Sequence, residues 1–384
     1  MNYSYNRILI FVVTLLTLLL SSNLSAVTKP IPNPPSLAAD SFYLIDFNSG
    51  QVLAEKNADR LIEPASITKL MTAYLVDKAI ADGIIALSDQ VTISKKAWRM
   101  QGSRMFIEVG KQVTLEDLLK GLIIQSGNDA GVALAEHIAG SESAFVDYMN
   151  HQAKALGMTN TQYKNATGWP MQGHYSTARD IAILTTAVIR DYPDTYRYYR
   201  EKEFTYNDIR QPNRNRLLWR DQSVDGVKTG HTEAAGYCLV ASALQNDMRL
   251  ISVVLGANSD KARTGSSQSL LNYGFRFFET HKLYSVDEVL KTARLWYGTQ
   301  DHITLSTRRD IYITIPRGRY KDVQAGMTVE NQILAPVEQG QILGLMDISL
   351  DGEMVISEPV VATHAVGEGG LINRTLDRIK LIFQ

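Results

Sequence analysis

Apolar and polar positions change their spacing several times along this chain. Residues 41–46 alternate as a strand does, Asn48-Ser49-Gly50 supplies a turn, and residues 51–55 return, which predicts a hairpin. From Pro64 the period lengthens. Residues 66–81, 115–122, 129–139, 143–156 and 178–189 carry apolar side chains at helical spacing. Residues 227–229, 237–244 and 249–257 return to strand character. Strands first, helices in the middle and strands last predict an α+β domain, one antiparallel sheet with helices packed on it, over residues 37–278.

Past Phe278 the pattern shortens again. Ile303-Thr304-Leu305, Ile311-Tyr312-Ile313-Thr314-Ile315, Ile342-Leu343-Gly344-Leu345-Met346 and residues 355–361 read as short strands with Gly or Pro between them. That predicts a small β-sandwich domain over residues 279–368. It carries no acid–base or metal cluster, so a support or docking role is expected of it. Residues 369–384 follow a glycine-rich stretch. At about 100° per residue, Leu371, Ile372, Leu376, Ile379, Ile382 and Phe383 fall in one arc, and Leu381 breaks the pattern. Arg374, Asp377, Arg378 and Lys380 take the other side. This predicts an amphipathic helix with basic residues on its polar face, suited to an anionic membrane surface.

The other end of the chain changes the compartment. Arg7, an apolar run over residues 8–20 and small residues up to Ala26 read as a secretory signal, residues 1–26, cut after Ala26. The run is short for a membrane span of about 20 residues. Residues 27–36 form a proline-rich linker. The formal net charge of −1 gives no basic field for nucleic acid, which leaves a small molecule, peptide or glycan as substrate. Cys238 is the only cysteine, so an internal disulfide is excluded; its apolar surroundings predict a buried structural thiol. Export without disulfides suits a bacterial envelope protein.

Three motifs supply the chemistry: Ser66-Ile67-Thr68-Lys69, Ser126-Gly127-Asn128 and Lys228-Thr229-Gly230. Each is common alone, and in this order they are hard to explain by chance. A serine hydroxyl needs a nearby base to attack an acyl group. Lys69 lies three residues from Ser66 on a predicted helix and shares its face. It must be neutral to accept a proton. A helix N-terminus and a second cation, Lys228, are expected to lower its pKa. Ser126 is placed to relay a proton to the leaving amine, and Asn128 to hold a substrate peptide group. Gly230 lets a substrate backbone approach the strand edge, beside Lys228 and Thr229. The seven histidines show no paired spacing, so neither a metal nor another cofactor is expected.

With Lys228-Thr229-Gly230-His231-Thr232 and Ala235-Gly236-Tyr237, these motifs resemble the active-site serine penicillin-recognising enzymes. More narrowly, the chain resembles the low-molecular-mass penicillin-binding proteins that are D-alanyl-D-alanine carboxypeptidases. The likeness extends through Asn213-Arg214-Asn215, Val224-Asp225-Gly226 and Gly274-Phe275-Arg276-Phe277-Phe278. The resemblance implies a penicillin-binding-protein/β-lactamase-like catalytic domain. It implies that Ser66 forms an acyl-enzyme with a peptidoglycan stem pentapeptide, Lys69 acts as base, and Ser126 and Lys228 assist proton transfer. The Ser66 and His231 N–H groups would form the oxyanion hole. Asn128, Thr229, Gly230 and His231 would line the substrate, with Arg214 and Arg263 near its terminal carboxylate. β-Lactam antibiotics would acylate Ser66. The expected place is the periplasmic face of the bacterial inner membrane, held peripherally by the tail. A serine β-lactamase, a D-Ala endopeptidase and a non-catalytic peptidoglycan-binding scaffold are the alternatives. Residues 165–179 contain no glutamate to activate a deacylating water, which disfavours the lactamase.

Overall fold

The computed structural model describes residues 31–286 and 288–382. The expected signal peptide, residues 1–26, lies outside them. The described residues from Pro34 onward form one compact unit. Its centre is a five-stranded antiparallel sheet built from β1 (Ser41–Asp46), β2 (Val52–Lys56), β3 (Val224–Thr232), β4 (Gly236–Gln245) and β5 (Met248–Ala257). The spatial order is β2-β1-β5-β4-β3, so β3, which carries Lys228-Thr229-Gly230, is an edge strand. An edge presents unpaired backbone groups to an incoming extended peptide.

The period-two alternation sends side chains to two cores. Tyr43 and Ile45 of β1 pack with Leu70, Met71 and Leu184 of the helical layer. Phe42 and Leu44 pack on the opposite face, with Leu270, Leu271 and Tyr273. The helices that matter below are α1 (Lys69–Ala81), α2 (Leu115–Lys120), α3 (Asn128–Ala139), α4 (Glu142–Ala155), α5 (Ala178–Asp191) and α6 (Asp260–Phe277). Two predicted helices break where the motifs lie. The helix expected from residue 66 begins as a tight 3₁₀ turn, Ala65–Thr68, and becomes α-helical only at Lys69. The helix expected over 115–122 ends at Lys120 and widens into a π turn, Gly121–Gln125. Such wide turns recur at functional sites.

The strand Phe278–Tyr284 follows α6 directly and pairs with Ile311–Pro316. A six-stranded sheet completes the C-terminal β-rich region, in the order Val323–Val329, Ile342–Leu350, Glu353–Ala362, His302–Thr307, Lys291–Trp296 and Ile333–Leu334. Leu295, Ile303, Ile313, Leu343 and Ile348 share its core. This region is fastened to β1 by a buried carboxylate. Asp46 Oδ2 accepts from Thr280 Oγ1 at 2.7 Å, and Ser49, bonded to Asp46, meets Thr314 Oγ1 at 2.6 Å.

The last described element is α7 (Leu371–Ile382). Asp377, on its polar side, docks the helix: it is only 5% exposed and accepts from Arg294 Nη2 and from the Tyr297 N–H, both at 2.9 Å. Arg374, Arg378 and Lys380 on the same side stay exposed. Leu371, Ile372 and Ile382, 82%, 77% and 74% exposed, face away from the protein.

Candidate active site

The 3₁₀ turn sets the Ser66 segment against Gly230 of β3 and drives Lys69 under it. Lys69 is fully buried, and its Nζ donates to Ser66 Oγ at 3.0 Å, Asn128 Oδ1 at 2.7 Å and the Thr167 carbonyl at 2.7 Å. An ammonium has three protons, and here each has an acceptor. A neutral amine would keep two of these bonds and turn its lone pair to the third acceptor. Asn128 Oδ1 and the Thr167 carbonyl carry no proton to give up, so the lone pair belongs on the Ser66 hydroxyl. Burial pushes the Lys69 pKa down to about 7, and the Asp129 carboxylate opposes this only in part. Desolvation thus does what helix end and neighbouring cation were expected to do.

Ser126 sits at the corner between the π turn and α3, with φ +66° in the left-handed region. A non-glycine residue there costs about 1 kcal/mol or more, which the surroundings must hold in place. The holding is visible. Lys228 Nζ reaches across from β3 and donates to Ser126 Oγ at 2.8 Å. Asp129, next in the chain, accepts from the N–H groups of Met105 and Phe106 at 3.0 and 2.9 Å. That pins the 101–107 loop, whose Gln101 carbonyl takes Asn128 Nδ2 at 2.6 Å. Lys228 is buried and its pKa lies well below the usual value, through desolvation first, then the charges of Lys69, Arg214 and Arg263.

A second loop closes over Lys69 from the other side. Asn165 Oδ1 accepts from the N–H groups of Thr167, Gly168 and Trp169, and Thr72 Oγ1 donates to the Ala166 carbonyl at 2.6 Å. Gly168 has φ +81°, and a Cβ there would stand 1.7 Å from the Ala65 carbonyl oxygen, so only glycine lets this loop press on the serine turn. Glu142 reaches the loop, but its carboxylate accepts from the Ala166 N–H at 3.0 Å and pairs with Lys96 at 2.7 Å.

Ser66, Lys69, Ser126, Asn128 and Lys228 are thus brought together. Thr229 adjoins them on β3, and His231, exposed, lies against the Tyr237 ring with centroids 4.1 Å apart. A Cβ on Gly230 would meet the Pro64 carbonyl at 3.1 Å and Ile67 at 3.2 Å, so this glycine also admits the serine turn. One expectation changes. Arg263 is a brace: its guanidinium is bonded to Asp260, to the Gly230 carbonyl at 2.9 Å and to the Cys238 carbonyl at 3.2 Å. Arg214 is the more open of the two, exposed and donating to Ser103 Oγ at 3.1 Å. Cys238 is a buried structural thiol, its pKa pushed up to about 11 by burial.

Residues 28–259 match the family model described as D-alanyl-D-alanine carboxypeptidase. The chain belongs to that family. Residues 278–368 match the model described as penicillin-binding protein 5, C-terminal domain. Among relatives of this carboxypeptidase family member is the D-alanyl-D-alanine carboxypeptidase DacC of Escherichia coli (strain K12), 47% identical over 357 residues, 91% of this chain and 89% of that one. The solved structure of penicillin-binding protein 5 from Haemophilus influenzae is 42% identical with a TM-score of 0.83, covering 88% of this chain and 100% of that one. Penicillin-binding protein D2 from Listeria monocytogenes, solved in its ampicillin-bound form, is 30% identical with a TM-score of 0.59 over 64% of this chain and 99% of that one.

Within this carboxypeptidase fold, motif reading missed Asp129 and the Thr167 carbonyl. Asp129 had a signal, an acidic residue in the first turn of a helix directly after the second motif. A backbone carbonyl has none.

Proposed function

We propose that this chain is a serine D-Ala-D-Ala carboxypeptidase that removes the terminal D-alanine from peptidoglycan stem pentapeptides through a Ser66 acyl-enzyme. The observation that carries this reading is the three-acceptor seat of Lys69, which aims the lone pair of its neutral form at Ser66. Lys69 takes the Ser66 proton as Oγ attacks the carbonyl of the penultimate D-alanine. The oxyanion that forms is received by the N–H groups of Ser66 and His231. Lys228 and Ser126 pass a proton to the leaving nitrogen, and D-alanine departs with its carboxylate at Thr229 and Arg214. Asn128 holds the stem peptide against the β3 edge. Water then cleaves the ester. β-Lactams acylate the same serine, as the ampicillin-bound relative suggests.

The protein acts after export, on the periplasmic face of the bacterial inner membrane, with the outward apolar arc of α7 on the lipid. The test is product analysis on a stem pentapeptide. Tetrapeptide plus one free D-alanine is expected, with no turnover by Ser66→Ala. Rapid benzylpenicillin hydrolysis with the pentapeptide left intact would replace this reading with a β-lactamase.

A further inference from the structure

Beside the catalytic motifs, past the end of β3, lies an open cleft of about 750 Å³. Arg214, His231 and Tyr237 line it together with Phe106, Ile209 and Trp219. Those three apolar side chains are 45%, 39% and 48% exposed. Arg216 stands at the same cleft, held to Asp260 Oδ2 at 2.8 Å with its side chain 65% exposed. The reading of the site above puts the terminal carboxylate at the Arg214 end. The space beyond it is therefore on the leaving-group side of the scissile bond. The methyl of D-alanine would leave almost all of that space empty, and three large apolar surfaces exposed to water beside a binding site are costly unless something covers them.

We propose that this cleft is a leaving-residue pocket, which takes the side chain of a bulky D-residue in the terminal position. The substrate class is acyl-D-Ala–D-Xaa, with a free α-carboxylate on Xaa and a long or aromatic side chain. The carboxylate meets Arg214, the side chain lies along Trp219 and Ile209, and Arg216 guards the rim. The chemistry is unchanged. The Ser66 Oγ–acyl bond forms as the D-Ala–D-Xaa C–N bond breaks. The D-Xaa nitrogen leaves with an added proton, and water releases the acyl group and restores the serine. Phe106, Ile209, Arg216 and Trp219 are then specificity residues that the three motifs do not contain. The proposal rests on the carboxypeptidase reading.

The experiment compares kcat/KM of the full chain on acyl-L-Lys-D-Ala–D-Ala, on the D-Ala–D-Phe analogue and on a cross-linked peptide pair whose leaving group is a second peptide. The wild type is expected to cleave the D-Phe analogue within threefold of the D-Ala substrate. Trp219→Ala should lower the D-Phe rate tenfold or more with the D-Ala rate within twofold. Ile209→Trp, which fills the pocket from its wall, should do the same. Cleavage of the D-Phe analogue alone assigns the pocket to single residues, and cleavage of the cross-linked pair as well extends it to a longer leaving chain. A wild type that cleaves D-Ala–D-Ala but handles D-Phe a hundredfold more slowly overturns the pocket. So does an equal loss on both substrates in both variants. Inactivity of the wild type on D-Ala–D-Ala overturns the underlying carboxypeptidase reading, a different and distinguishable failure.

Discussion

Lys228 Nζ donates to Ser126 Oγ at 2.8 Å, joining an edge strand to a left-handed corner 102 residues away. The lysine is the donor, so the serine keeps its own proton free to point into the cleft. In the proposed reaction the two residues act as one proton-handling unit.

Removing the lysine should therefore uncouple chemistry from folding. Lys228→Ala is expected to slow benzylpenicillin acylation of Ser66 roughly a hundredfold, within the range of a positioned proton-transfer group. Thermal stability should change far less, because loss of the bond that steadies Ser126 is offset by removal of a buried, desolvated amine. Stopped-flow acylation alongside a melting curve reads both. An unchanged acylation rate in the folded variant removes the pair from the proton path.

Acylation should rise with pH through about 7, the value to which burial depresses Lys69. The sign follows from the role: the neutral amine is the base, and its population grows as pH increases. Asp129→Asn removes the one charge that opposes the depression, so the inflection should move to lower pH. A shift upward in a well-folded variant contradicts this electrostatic account.

Asp77 lies on α1, 2% exposed, with no charged partner among the described residues and the Thr195 hydroxyl near its carboxyl group. Burial pushes its pKa up to about 8, and Thr195 offsets this only in part. The unfolded chain ionises this group near pH 4, while the folded chain holds the proton to about pH 8. Between those values the unfolded state binds fewer protons, so stability falls as pH rises, then levels off. Lys69 and Lys228, with depressed pKa values, have the opposite trend, but they are the same in both proteins when wild type is compared with Asp77→Asn. The stability advantage of the variant should widen between pH 5 and pH 8 by on the order of 1 kcal/mol per pH unit. Denaturant melts at three pH values test it; a constant gap means the carboxyl ionises normally.

Deleting residues 371–384 should leave penicillin labelling intact and abolish sedimentation with anionic vesicles. The arc of α7 points Leu371, Ile372, Leu376, Ile379 and Ile382 outward, each at least 50% exposed. A large side chain contributes roughly 1.5–3 kcal/mol on full burial, so even partial immersion favours the lipid. Arg374, Arg378 and Lys380 add on the order of 1 kcal/mol each near anionic lipid, so binding should weaken with salt without vanishing. Equal sedimentation of both forms would show that the tail is not the anchor.

The serine, both lysines and the asparagine are legible in the sequence because each sits in a short pattern with a chemical reason. Most helices and strands are legible from period alone. What escapes is made by packing between distant segments. The cause of the Lys69 shift is burial beneath a loop nearly 100 residues downstream, and the Thr167 carbonyl that seats the lysine leaves no mark in side-chain type. The docking of α7 escapes too, because Asp377 looks like one more polar residue until Arg294 and the Tyr297 N–H are seen to claim it.

The inert thiol of Cys238 has a practical use. With its pKa near 11 and no exposed surface, it will stay silent toward maleimides at neutral pH. Any second cysteine becomes a unique handle. Thr375 is exposed and, at about 100° per residue, falls in the middle of the apolar arc of α7. A polarity-sensitive dye on Thr375→Cys would report in real time whether the tail enters a bilayer, and how far, while Ser66 is at work.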